Sequence, residues 1–205
     1  MPRLSCKDRT LPVAITNIKL GSALQDCGAV GVIEAFDKSS APQLFVYDDN
    51  DLGYTDWIDT TPDFVAKCFL VKNPNGAVIV LLPLDGRIIT GRSVSKGGVC
   101  DSMLLTEKEM SLIEFKTNVI STSYQTIRQR ALEGITQLWH TYNAIIEPRC
   151  MKFSKNLRLL SVDFYIVFNR ELEVVGINSE LMDLQNEFFE NNKHLLYFGN
   201  EKTFE

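Results

Sequence analysis

Up to about residue 118 the apolar residues fall at alternate positions or in short unbroken runs, and beyond it they recur every three or four. The first regime predicts strands: "LPVAITNI", "GAVGVIEAF", "QLFVYD", "FVAKCFLV" and "AVIVLLPL", separated by the turn-forming stretches "KSSAP", "DDNDLG" and "NPNG". Gly28 and Gly31 leave "ALQDCGAVGVIEAF" between a weak helix and a strand, and strand is the reading adopted. In the second regime Ile127, Ala131, Ile135, Leu138, Tyr142 and Ile145 or Ile146 form one helical stripe, which Pro148 is expected to end. A β-rich run, "LRLLSVDFYIVFNRE", follows, and then a helix opening at Ser179, "SELMDLQNEFFENN".

Between the regimes lies "VCDSMLLTEKEMSLIEFK". A four-residue loop at 106–109 makes it a hairpin in which Leu105 faces Met110, Met103 faces Leu112 and Asp101 faces Glu114. The element order describes an α/β or α+β protein, a mixed central sheet flanked by helices. A β-rich half over 1–84 is expected to pack on a core over 85–205, giving one compact domain overall.

Composition adds few constraints. With 205 residues, 45% hydrophobic and 23% charged, the chain can bury a real core. A net charge of −5 offers no general attraction for nucleic acid or anionic membrane, so any such binding must rest on a local patch. The five cysteines are widely spaced without a C-x-x-C pair, which suggests neither a zinc site nor a disulfide framework and fits a reducing cytoplasm. No run approaches membrane-spanning length.

The hairpin carries the chemistry. Directly opposed strand residues have Cβ atoms roughly 5 Å apart, so Asp101 and Glu114 can share one divalent ion. Strand alternation turns Lys116 to the face of Glu114, and Ile113 and Phe115 to the other. Two opposed carboxylates among apolar neighbours are costly unless a positive charge joins them, which points to Mg²⁺ (or Mn²⁺), with the Phe115 carbonyl as a further ligand. Lys116 would orient or help deprotonate an attacking water.

An acid on one central strand followed on the next by E-x-K, here Asp101 and then Glu114, Phe115 and Lys116, resembles the PD-(D/E)xK nuclease superfamily, the restriction-endonuclease-like fold. The resemblance covers roughly residues 85 to 170. It implies a Mg²⁺-dependent DNA nuclease, in defence, restriction or repair, with a helix packed on the sheet after the hairpin and a homodimer as a common assembly. Cys100 stands where the family name has proline. In "QLWHTY" Gln137 has Thr141, not tyrosine, at the place matching the Q-x-x-x-Y element of exonuclease branches. An acid from an earlier helix is also common in the family, and Glu34 is the candidate.

Arg87, Arg92 and Lys96 ahead of the hairpin and the segment carrying Arg149, Lys152, Lys155 and Arg158 are the candidate DNA contacts, through salt-sensitive phosphate binding. "YDDNDLGYTDWIDTTPD" holds six aspartates, and Asp48, Asn50 and Gly53 suit a calcium loop; Leu52 at a ligand position and a missing closing glutamate make it read as a solvated turn. His140 is read as a helix residue at the core boundary, and Trp57, Trp139 and Phe164 as core. The competing reading of the whole is a catalytically silent nuclease-fold protein that binds a protein partner.

Overall fold

The computed structural model describes residues 10–172 and 179–205. The described residues open with three short helices, α1 (Val13–Asn17), α2 (Leu20–Ala23) and α3 (Val32–Ala35). Five strands follow: β1 (Asp37–Ser39), β2 (Gln43–Asp49), β3 (Tyr54–Ile58), β4 (Phe69–Lys72) and β5 (Ile79–Pro83). The hairpin is β6 (Ser102–Leu105) and β7 (Glu109–Lys116). A long helix begins as α4 (Tyr124–Trp139), widens to a π-helix over His140–Ile146 and resumes as α5 (Glu147–Met151). After it come β8 (Ser161–Phe168), α6 (Ser179–Asn192), β9 (Leu195–Phe198) and β10 (Glu201–Thr203).

The strands form two mixed sheets. One has six in the order β1-β5-β6-β7-β8-β9, the other four in the order β10-β4-β2-β3. In the larger sheet β5, β6 and β7 are antiparallel neighbours, and the long helix then carries the chain to β8, parallel to β7. Stretches on both sides of residue 84 build both sheets, since β5 enters the larger sheet and β10 pairs with β4 in the smaller.

Each face of the six-stranded sheet has its own core. Met103, Met110, Leu112, Phe164, Ile166 and Phe168 meet Ile127, Ala131 and Leu138 of the long helix and Ile15 and Leu20 of the first helices. Leu81, Leu104, Ile113, Phe115 and Val167 point the other way, onto Val46, Trp57, Phe69 and Val71 of the smaller sheet. A strand covered on both faces can be apolar at every position, and β5 and β6 are buried throughout. Trp57 also donates its indole N–H to Asp37 at 2.9 Å, tying the smaller sheet to β1.

Three expectations are corrected. "LPVAITNI" and "GAVGVIEAF" form α1 and α3, because Ala14, Ile15, Ile18, Val32 and Ala35 fill the helical layer and that tertiary demand outweighs their β-branched content. Pro148 does not end the long helix: it sits in the first turn of α5, just past the π segment, where a helix tolerates a missing N–H. "YTDWI", assigned to a loop, is β3, an edge strand half-buried on one side. Among the described residues no helix is long and apolar enough to cross a membrane.

Candidate functional site

The hairpin register decides the site. Ser102 pairs with Ile113, Met103 with Leu112, Leu104 with Ser111 and Leu105 with Met110, and the loop closes through the Thr106 N–H on the Glu109 carbonyl at 2.9 Å. One step further along this ladder Asp101 stands opposite Glu114. Asp101 is fixed from both sides. Its carbonyl accepts the Leu84 N–H at 2.8 Å, and its Oδ2 accepts the Phe115 N–H at 2.5 Å.

Glu114 and Lys116 point to the helix-covered face, while the Phe115 ring joins the core between the sheets. The Lys116 ammonium donates to Glu114 Oε1 at 2.8 Å and to Gln137 Oε1 at 2.7 Å. Gln137 in turn donates to the Val99 carbonyl, and Thr141 one turn on accepts the Cys100 N–H at 2.8 Å. The long helix therefore clamps both the lysine and the approach to Asp101. Gly134 gives it room, because a Cβ there would lie 2.9 Å from the Ile166 side chain.

Electrostatics make the pair unusual. Burial pushes Asp101 up to about 7, and the charges of Asp48 and Asp85 add to this, while the Phe115 N–H and Lys116 oppose it. Glu114, 2% exposed, is pushed well above the usual range by burial first and by Asp101 second. Its Oε2 is buried without a hydrogen-bond partner. A single ammonium does not offset two buried carboxylates, and the unsatisfied oxygen marks where further positive charge would be accommodated. The donors are hard oxygens, which suits Mg²⁺ or Mn²⁺. Among the described residues no three Asp, Glu, His or Cys side chains already converge as a metal-binding group.

The remaining predicted residues divide by position. Arg92 and Lys96 are exposed on the loop before Val99, whose Gly97 and Gly98 lie against His140 and Gln137. His140 Nδ1 sits 2.7 Å from the Gly98 carbonyl and so holds this loop to the helix. Arg87 lies over the Tyr54 ring at 4.3 Å. Lys152, Lys155 and Arg158 are exposed too, but they follow α5 and lead into Ser161, which pairs with Glu109 at the hairpin-loop end of β7. Lys116 is at its other end, roughly 20 Å away at the usual strand rise. Arg149 is tied to Asp26 of the N-terminal layer. Glu34 is exposed on α3, with its carboxylate folded over Gly31.

Sequence reasoning missed Asp48 and Asp85 as neighbours of Asp101. Asp85 follows Leu84, the residue laid beside Asp101 by the β5–β6 pairing, and Asp48 comes from the smaller sheet. With Thr55 and Tyr54 they line a cavity of about 250 Å³ that Asp101 also reaches. Nothing local joins positions 48, 85 and 101, though the density of aspartates at 48–63 was a visible signal.

No protein-family model, curated protein or solved structure matches the chain.

Proposed function

We propose that the protein is a metal-dependent nuclease of the PD-(D/E)xK kind, which hydrolyses DNA phosphodiesters. The observation that carries this reading is the meeting of Asp101, Glu114 and Lys116 at one end of an antiparallel hairpin, with Glu114 Oε2 buried and unpartnered. The antiparallel β6–β7 hairpin followed by a helix packed on the sheet supports it, as the resemblance implies that much.

Asp101 and Glu114, with the Phe115 carbonyl, would hold Mg²⁺ or Mn²⁺. When bound, the ion supplies Lewis acidity towards a phosphate oxygen and neutralises the buried carboxylates. Lys116, held in place by Glu114 and Gln137, positions the attacking water and donates to a non-bridging phosphate oxygen. The water oxygen bonds to phosphorus as the opposite P–O bond breaks; the water gives up one proton to solvent and the departing oxygen takes one from solvent, so that one water is added across the bond. Arg92 and Lys96, on the loop clamped by His140 and Gln137, flank the approach and would meet the phosphate backbone.

The second reading is an interaction module with the same sheet and no hydrolysis. On its side stands the absence, among the described residues, of three metal-binding side chains already gathered. Supercoiled plasmid incubated with purified protein and Mg²⁺ or Mn²⁺ separates the two. The nuclease reading expects nicked or linear product, with Asp101→Ala, Glu114→Ala and Lys116→Ala each slower by about 10²–10⁴-fold. Cleavage that persists in all three variants, or none in the wild type with either ion, favours the second reading.

A further inference from the structure

We propose that the segment linking α5 to β8 is a docking surface for an anionic lipid bilayer. It stands apart from the nuclease reading, because it leads to the hairpin-loop end of β7 and not to the end that carries Lys116.

Charge comes first. From Arg149 to Val162 the sequence holds Arg149, Lys152, Lys155 and Arg158 and no acid, in a chain whose net charge is −5. Arg149 is taken up by Asp26. Lys152, Lys155 and Arg158 are exposed, and among the described residues none of them is held in an ion pair. Folding widens the patch. The Ser154 hydroxyl and the Asn156 amide both donate to the Asn17 carbonyl, at 2.9 and 3.1 Å, which sets the segment against the end of α1 and the exposed Lys19. On its other side Ser161 donates its N–H to the Lys108 carbonyl at 2.9 Å, bringing in the hairpin loop, where Lys108 and Glu107 are both exposed.

Charge alone would suit a nucleic-acid backbone as well as a membrane. Two large apolar side chains decide between them. Phe153 follows Lys152 and is 52% exposed, and Leu159 follows Arg158 and is 79% exposed. The same segment buries Cys150 and Leu157, the latter in a 3₁₀ turn over Asn156–Leu159. A turn of about three residues anchored on one side by Leu157 leaves its other sides to solvent.

A phosphodiester backbone would take the cations and give Leu159 nothing apolar to bury against. A bilayer surface supplies both partners, since lysine and arginine meet lipid phosphates while neighbouring phenylalanine and leucine enter the acyl boundary. Side chains exposed to this degree stand out from the surface instead of lining a groove, which suits a partner that yields around them. The acidic remainder of the chain is repelled by such a surface, so this patch is the face that approaches it.

The test is flotation of full-length wild-type protein with phosphatidylcholine vesicles carrying about 30% phosphatidylserine, with a chelator present so that no divalent ion contributes. The protein is expected to float with these vesicles, to stay behind with phosphatidylcholine alone, and to lose most of its binding as salt rises from about 0.1 to about 0.5 M. Lys155→Glu combined with Arg158→Glu should weaken binding at least about 10-fold. Phe153→Ser combined with Leu159→Ser should do the same, by about 10-fold, through the lost apolar burial. All four positions are exposed, so both double variants keep the fold. Equal binding to the two kinds of vesicle, binding to neither, or binding indifferent to either double variant would overturn the proposal. So would binding of a short DNA duplex as tight as that of the vesicles, lost with the cations and indifferent to Phe153 and Leu159, which would assign the patch to nucleic acid. Vesicle binding by a protein that leaves plasmid intact would count against the nuclease reading and not against this surface.

Discussion

At Asp101 the fold opposes ionisation, and this has a measurable consequence. The carboxyl is held at about 7 against an ordinary value of 3.8, chiefly by burial. The folded state therefore binds a proton that the unfolded chain releases. Its contribution to stability is present below pH 4, declines as pH rises towards 7, and is fully lost above that. The gap corresponds to roughly 4 kcal/mol at most. Urea midpoints measured from pH 4 to 8 without divalent ions should show Asp101→Asn gaining on the wild type as pH rises. Equal pH dependence in the two proteins would contradict the burial argument. Glu114 works in the same direction, with Lys116 opposing. The alternation of "IEFK" made Glu114 and Lys116 legible as same-face neighbours, and hairpin arithmetic placed Asp101 opposite. That burial outweighs the ammonium was not legible, because it depends on the long helix covering this face.

At the scale of elements, the site is a junction of turns set by glycines. Gly86→Ala places a methyl group against the Gly53 carbonyl and forces a residue with φ +69° to carry a side chain. Strain of this kind costs on the order of 1–3 kcal/mol, and a lower urea midpoint with the slope unchanged would show it. Gly97 and Gly98, with φ of +128° and +89°, do the same for the loop against His140 and Gln137. The hairpin, β8, α6 and most of the long helix follow from apolar periodicity. The short helices α1 and α3 and the edge strand β3 did not. A four- or five-residue stretch such as "VIEA" or "VAITN" fits a strand or a helical turn equally well, and the layer it packs into decides. "LLYF" and "EKT" became β9 and β10 only because an open edge of each sheet was available.

Across the whole molecule the two sheets are joined at a second point, far from Asp101. Lys202, 8% exposed, lies 2.5 Å from Asp163 Oδ2 and 2.7 Å from Glu109 Oε2, so β10 carries a cation from the smaller sheet into carboxylates of the larger. Burial raises Asp163, while Asp163 and Glu109 hold Lys202 charged against its own burial. Lys202→Met would strand Asp163 and is expected to cost about 3–5 kcal/mol by urea denaturation, with Asp163→Asn in the same chain restoring part of it. A loss under 1 kcal/mol would mean the cluster is solvated. What the sequence by itself determined are the features of short range: the strand and helix periods, the hairpin register, and hence the facing of Asp101, Glu114 and Lys116. Only the tertiary structure decided which surfaces those faces meet, and so which acids share a cleft. Asp48, Thr55 and Asp85 reach Asp101 through the packing of one sheet on another, and the pattern of residues along a strand records which face is apolar without recording what will cover it.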